Sequence, residues 1–437
     1  MLRPPLRSDA LAANALFVLI AAYLLIFTVS PLFTYEITQI LKYVYTVLLV
    51  VMSTWCLLTF FRFNPNPAFL IAPFLLSVIG TFTFIMVTAT TKNPITYASA
   101  LIPLLTAAVP LFLPDRAVSI DVPRLLRWLL VIFLISGAFH IFAQSAQGSG
   151  GGGIDYRVGH EDTFIILSAA ILAGVRRDRR LFAVAFLFAV TSLVLRPSST
   201  LAISLVITSL YVWAHWIGWG RLAVAAAFWM MVTLVVMNSL IIFDVPVVDV
   251  MFRIEPWIKE EVIGSTSNNT FRIAVLEAAI DEFRQESIIF GTFFSGDVNV
   301  YVRHLLPFFG DIAPIHNDFV NATVQGGIIG ALLFGTIFIG LGAAARTGLG
   351  IARAIRDPSM AAFFSSAIAA NLLFVIYIGF NPAMRKIELG LFYLIWIPLS
   401  VFALRQLKSR VARGRPMPTG QVGPGRLAPV TSAQRHV

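Results

Sequence analysis

His316 and Asn317 stand at the start of a long apolar run, directly after the polar stretch 244–315. The local string is Ile315-His316-Asn317-Asp318-Phe319. An imidazole with an ordinary pKa near 6.5 exchanges a proton close to neutral pH, so His316 is a candidate proton acceptor. The competing reading is a helix cap, with Asn317 or Asp318 accepting the free N–H groups of the helix that follows. Arg272 opens a stretch of helical periodicity inside the same loop. A guanidinium beside a helix N-terminus makes an anion site; the alternative is a surface arginine paired with Glu277 or with a lipid phosphate. Arg196 sits where an apolar run emerges, followed by Pro197, Ser198, Ser199 and Thr200. It either meets a phosphate-bearing headgroup at that depth or anchors the interface by snorkelling. Arg157 and His160, beside Glu161 and Asp162, follow the glycine tract 148–153 and either clamp a substrate or form a hydrated linker. With Asn317 they complete the candidates for a substrate-contacting loop. Arg385 and Lys386 form the one basic pair of the last external loop and fit a phosphate contact or lipid anchoring.

Several chemistries lack their residues. The chain has no Walker-type phosphate loop, no Cys/His spacing for a metal, and no nucleophile elbow; no metal and no cofactor are expected. The apolar runs carry almost no Asp, Glu, Lys or Arg at mid-depth, where proton relays and ion pathways need them. No internal repeat is evident, which counts against a transporter. The single cysteine, Cys56, lies within an apolar run and forms no internal disulfide.

The elements that must position these residues are written in the composition. Of the 437 residues 58% are hydrophobic and 12% charged, with a mean hydropathy of +0.84. A soluble domain of this size needs a charged shell, so the solvent is lipid and the fold class is all-α, a polytopic helical bundle. Twelve spans are predicted: Ala12–Phe33, Ile37–Phe60, Ala68–Thr90, Ile95–Leu113, Leu125–Ala143, Thr163–Val175, Leu181–Leu195, Leu201–Ile217, Leu222–Phe243, Phe319–Ala345, Ala361–Phe380 and Leu389–Leu404. The first follows Arg3 and Arg7 but is too long for a signal-peptide core, so it is expected to be retained. The sixth and seventh are short, at 13 and 15 residues.

With both termini cytoplasmic, 21 of the 32 basic residues but only five of the 22 acidic ones fall on the cytoplasmic side. That asymmetry sets the orientation. The net charge of +10 is therefore a membrane-orientation signature and not a nucleic-acid footprint, and the basic loops should lie against anionic lipid. The chain divides into an N-terminal membrane bundle (1–243, about nine helices), one large periplasmic loop (244–315), C-terminal membrane helices (316–404) and a basic, disordered cytoplasmic tail (405–437). Within the loop, Thr270–Glu286 reads as an amphipathic helix. Ile273, Leu276, Ile280 and Phe283 share one face, with Glu277, Asp281 and Arg284 opposite. Gly326, Gly327, Gly330 and Gly335 are expected to permit close helix packing.

His316-Asn317-Asp318-Phe319, followed by Gly326-Gly327-Ile328-Ile329-Gly330-Ala331-Leu332-Leu333-Phe334, resembles the hallmark of the bacterial O-antigen ligase/O-antigen polymerase family. Asn269-Thr270-Phe271-Arg272, with Ile289-Phe290-Gly291 after the helix, resembles that family's loop helix opened by an arginine and closed by a glycine turn. The agreement runs from about Asn268 to Leu341. One departure is Leu195-Arg196-Pro197-Ser198-Ser199, where family members show a Ser-Arg pair and the arginine is displaced by a few positions.

The resemblance implies a metal-independent glycosyltransferase in the bacterial inner membrane, with its active site facing the periplasm. Its donor would be an oligosaccharide or polysaccharide on undecaprenyl diphosphate. Arg272 and Arg196 would bind the diphosphate, Arg272 and His316 would be catalytic, and the bundle would hold the polyprenyl chain among membrane lipids. Two outcomes remain: a polymerase extends a lipid-linked glycan, whereas a ligase transfers it to the lipid A core. The departure at Arg196 inclines the reading towards a polymerase of a surface polysaccharide or exopolysaccharide, with export or chain-length proteins as partners. A flippase for lipid-linked glycans is the rival from another class. It predicts charged or Gly/Pro-broken sites at mid-membrane.

Overall fold

Among the described residues, four helices start behind a capping side chain and three end in one repeated turn. A computed structural model describes residues 66–87, 102–112, 160–195, 198–241, 283–292, 315, 317–381 and 394–412. It also describes residues 299–301, 312–314 and 390, and scattered positions within 37–54, 127–138 and 275–281. Its main helices are α1 (Ile71–Val87), α2 (His160–Val175), α3 (Arg179–Leu195), α4 (Ser199–Trp216), α5 (Gly220–Leu240), α6 (Asp318–Ala354), α7 (Pro358–Phe380) and α8 (Trp396–Ala412). Among the described residues, α4, α5, α6 and α7 are long and apolar enough to cross a bilayer, and Ala68–Phe82, Ile102–Leu111 and Ile166–Val175 are shorter apolar helices. The architecture is that of an all-α membrane protein. One small departure from all-α is an antiparallel pair, β1 (Asn299–Tyr301) with β2 (Ile312–Pro314), in register Val300 to Ala313.

Three of the hairpins turn on the same device. After α2, Asp178 N–H bonds to Ala173 O at 2.9 Å and Arg177 N–H to Gly174 O at 3.0 Å, with Arg177 at φ +63°. After α6, Asp357 N–H bonds to Ala352 O at 2.8 Å and Arg356 N–H to Arg353 O at 3.1 Å, with Arg356 at φ +58°. Gly218, at φ +91°, takes the corresponding place between α4 and α5. This is the paired C-terminal closure in which one left-handed residue satisfies the last carbonyls of a helix. In both arginine turns the next residue, Asp178 or Asp357, caps the following helix through its carboxylate, so two residues end one helix and begin another. Cations at these C-termini also match the helix dipole.

The three turns share one end of the bundle. Arg179 lies over the Trp216 ring at 5.6 Å and Arg346 over Phe228 at 5.3 Å. His215 Nε2 is 2.8 Å from Ser365 Oγ, and the Tyr211 hydroxyl donates to Ser365 O at 2.7 Å. These polar links tie α4 to the start of α7. Such links gain weight where no water competes.

α7 is the hub. It packs against α2, α4, α5 and α6 and is buried along nearly its whole length. A helix that is apolar all round belongs inside, and α7 carries no charged residue, its polar groups being those of Ser359, Ser365, Ser366, Asn371 and Tyr377. Asn371 donates to Phe338 O of α6 at 2.8 Å. Phe319, Phe334, Phe338 and Phe374 form an edge-to-face chain along the α6–α7 contact.

The structure revises several expected boundaries. The short sixth and seventh spans are full helices of 16 and 17 residues, α2 and α3. α6 has 37 residues and α8 runs to Ala412, so residues 405–412 are helix, where disordered tail was expected. The reason is Arg405. Although charged, it is buried and donates to Asn66 O and Pro110 O, each at 2.8 Å, which anchors the last two turns. The expected first span, the glycine tract, Arg385, Lys386 and the tail beyond residue 412 lie outside the described residues.

Candidate functional site: the head of α6

Asn317 is the N-cap of α6. Its Oδ1 accepts from Phe319 N–H at 2.9 Å and Val320 N–H at 3.1 Å, so of the two capping candidates Asn317 takes the role. Its Nδ2 donates to Asn238 Oδ1 at 2.7 Å, and Asn238 Nδ2 donates in turn to Leu234 O at 2.8 Å. The head of α6 is thereby fixed to the end of α5. Gly379, near the end of α7, lies so close that a Cβ there would meet Asn238 Oδ1 at 3.1 Å. One turn into α2, Phe164 packs on Tyr377 with ring centroids 4.6 Å apart. The starts of α2 and α6 and the ends of α5 and α7 therefore converge, opposite the arginine turns.

The loop helix docks on this head. Val275, Leu276, Ala278, Ala279, Ile280 and Phe283 form one apolar cluster with Ile241, Ile315, Val320 and Val324. Leu276, Ile280 and Phe283 lie on its buried face and Asp281 and Arg284 on its exposed face, as the periodicity predicts. Its helical residues end at Gln285, one before the expected end.

Beyond the loop helix the chain closes onto α6 through backbone hydrogen bonds. α6 is not continuous: Gly327 has φ +61° and ψ −154°, and the helix breaks there. Residues 288–292 fill the break. Thr292 N–H donates to Val324 O at 3.0 Å, Ile328 N–H to Ile288 O at 3.0 Å and Ile329 N–H to Ile289 O at 3.4 Å. Gly291, at φ +57°, faces the Val324 carbonyl, and Gly327 faces the Ile289 carbonyl, with no room for a Cβ at either place. Gly327 was expected to serve helix packing. It serves instead a helix break, at a conformation open only to glycine, and a loop takes up the freed groups. Gly335 does match the packing expectation, since a Cβ there would touch Val235 at 3.1 Å.

Three polar residues of this region were not singled out as candidates. Asn238 was hidden inside an apolar run. Asn321 and Gln325 follow Asp318 at helical spacing down the first half of α6. The Asn321 Oδ1 and Gln325 Nε2 atoms are buried without hydrogen-bond partners. The signal for them was the interval of four residues, which puts both amides on one helix face.

Of the candidate residues, His160 opens α2 and Asn317 caps α6. Arg157, Arg196, Arg272 and His316 lie outside the described residues. Ser198, two residues past Arg196, caps α4 by accepting from Leu201 N–H at 3.4 Å. Among the described residues no three His, Cys, Asp or Glu side chains gather as a metal site. A cavity of about 220 Å³ lies at the other, basic end, lined by Arg127, Arg176, Arg177 and Asp178, with Arg127 and Asp178 paired at 3.2 Å.

No protein-family model and no curated protein matches this chain. The family resemblance thus rests on its two sequence strings, 269–291 and 316–334. Their described parts are the segments that pack together here, through the apolar cluster and the backbone bonds at Gly327.

Proposed function

We propose that this protein is a glycosyltransferase of the bacterial inner membrane, acting at the periplasmic face on glycan carried by undecaprenyl diphosphate. In this reading it is a polysaccharide polymerase. The observation that supports it most is the docking of the loop helix on the head of α6. The loop-helix residues described from Val275 onward, which follow Arg272 in the chain, and the helix that begins two residues after His316 share one apolar core.

The chemistry asks for two things. As the acceptor hydroxyl oxygen bonds to the anomeric carbon, the bond from that carbon to the diphosphate oxygen breaks and the electron pair leaves with the diphosphate. Arg272 and Arg196 stabilise that charge electrostatically. The hydroxyl proton passes to His316. Asn317, held by Asn238, and His160 at the start of α2 serve the glycan. No metal or cofactor enters the scheme.

The break in α6 is the feature a flippase would use, since discontinuous helices often build transport sites. Here the freed carbonyl and N–H groups of Val324, Ile328 and Ile329 are taken by residues 288–292 of the same chain. That use of the break favours an enzyme with a docked loop. The ligase reading keeps the same donor and residues and changes only the acceptor, to lipid A core.

Arg272→Ala and His316→Ala test the assignment in cells lacking the native copy. Each is expected to abolish polymer while membrane levels of the protein stay unchanged. Normal polymer from either variant removes that residue from the mechanism.

A further inference from the structure

The turn that fills the break in α6 has an unusual division between backbone and side chains. Ile288 O and Ile289 O accept from α6, Gly291 N–H bonds to Ser287 O at 2.6 Å, and Phe290 N–H bonds to Ser287 Oγ at 3.3 Å. The side chains of Ile288, Ile289 and Phe290 point the other way and are 59%, 54% and 47% exposed. Three consecutive large apolar residues displayed on a rigid turn are costly in water, about 25 cal/mol for each Å² of apolar surface.

Their neighbours indicate what covers them. Just past the break, Ile328, Ile329 and Leu332 of α6 are also exposed, so the apolar tip continues an apolar helix flank. Between Gly327 and Arg346 that helix carries no charged residue, a rise of about 28 Å, close to the ~30 Å hydrocarbon thickness. Counted from the arginine end, the break falls at the opposite edge of the hydrocarbon. On the far side of it come Gln325, Asn321 and Asp318, and the exposed face of the loop helix bears Asp281 and Arg284.

We infer that Ile288, Ile289 and Phe290 form a lipid anchor, inserted into the bilayer leaflet opposite the arginine turns at the boundary between headgroups and acyl chains. Ile288 O, Ile289 O and Phe290 N–H are bonded to α6 and Ser287, which lowers the backbone polarity the tip carries towards hydrocarbon, and the charged face of the loop helix stays in the headgroup layer. The anchor fixes the loop helix at the membrane surface. The inference goes beyond the glycosyltransferase reading and does not depend on it.

The test reads depth and not activity. In a Cys56→Ser background, a nitroxide is placed at Ile289→Cys, Leu332→Cys or Arg284→Cys, and the full-length protein is put into phosphatidylcholine/phosphatidylglycerol nanodiscs. Relaxation by oxygen and by a water-soluble nickel chelate is then measured. Residue 289 is expected to match residue 332, open to oxygen and closed to nickel, whereas residue 284 is open to nickel. Nickel access at 289 equal to that at 284 overturns the inference, and so does exclusion of both relaxants, which would mean a protein partner covers the tip. The unmodified protein gives a second reading with a carbene probe dissolved in the lipid. Labelling of the peptide bearing Ile288, Ile289 and Phe290 is expected, and its absence beside a labelled Leu332 peptide refutes the anchor.

Discussion

Gly327→Ala is the sharpest perturbation the structure offers. At φ +61° and ψ −154° an alanine is strained by about 1–3 kcal/mol. Its Cβ would also overlap the carbonyl group of Ile289 and the amide nitrogen of Phe290. Both obstacles are backbone and cannot swing aside. The cheaper outcome is release of residues 288–292, at the loss of three hydrogen bonds, those of Thr292, Ile328 and Ile329 N–H. At roughly 1 kcal/mol net for each bond, release costs about 3 kcal/mol. The population with the turn undocked then rises by about 100-fold, since 1.4 kcal/mol is a factor of ten. Hydrogen–deuterium exchange resolved at single amides reads this directly. The amides of Thr292, Ile328 and Ile329 are expected to exchange about 100-fold faster, while those at the centre of α7, such as Leu373, keep their protection. Gly291→Ala, whose Cβ would strike the Val324 carbonyl, is expected to do the same. Unchanged protection in Gly327→Ala would refute the description of the break as a backbone-filled clasp.

Asn317→Ala removes the cap from α6 and is expected to destabilise the head by about 1–2 kcal/mol. Asn317→Asp keeps the cap but sets a carboxylate oxygen against Asn238 Oδ1 where the amide donated and should cost about 1–3 kcal/mol, both seen in exchange at Phe319 and Val320. Gly348→Ala and Gly350→Ala, two residues apart in α6, should have opposite signs. The first runs a Cβ into the ring of Phe364 and lowers the thermal midpoint by about 1–3 kcal/mol of stability, whereas the second meets open space and gains up to about 1 kcal/mol. Arg405→Met leaves the carbonyls of Asn66 and Pro110 without their donor and is expected to cost about 2–4 kcal/mol, again read from the thermal midpoint in detergent.

The parts of the fold legible in the sequence were those with a local cause. Asn317 was one of two capping candidates read for the start of α6; Asp357 and Ser198 cap α7 and α4 in the same local way, although the expected spans began later, at Ala361 and Leu201. The buried face of the loop helix was readable from the spacing of Leu276, Ile280 and Phe283. Helix ends were harder. Hydropathy falls at Arg346 and Arg405, and at Arg179 on the leading edge of α3, but the backbone has no reason to stop there. A charged side chain can lie over Trp216 or Phe228 or donate to buried carbonyls while the helix continues. Least legible was the break at Gly327. A glycine pair in an apolar run reads as a packing face, and what makes Gly327 a break is a turn nearly forty residues earlier in the chain. The same long-range cause hid Asn238, whose partner Asn317 is 79 residues away. The resemblance implied only that Arg272 and His316 act together; the union of the loop helix with the head of α6 is carried by a contact that no local pattern encodes.

The proposed activity is tested most directly by incubating the purified protein with undecaprenyl-diphosphate-linked repeat units and no other acceptor, and resolving the products on a gel. A ladder of lengthening glycans that is absent with His316→Ala is the predicted result. No ladder, with transfer appearing only when lipid A core is added, would contradict polymerisation in favour of ligation. Silence with both acceptors would contradict glycosyl transfer itself.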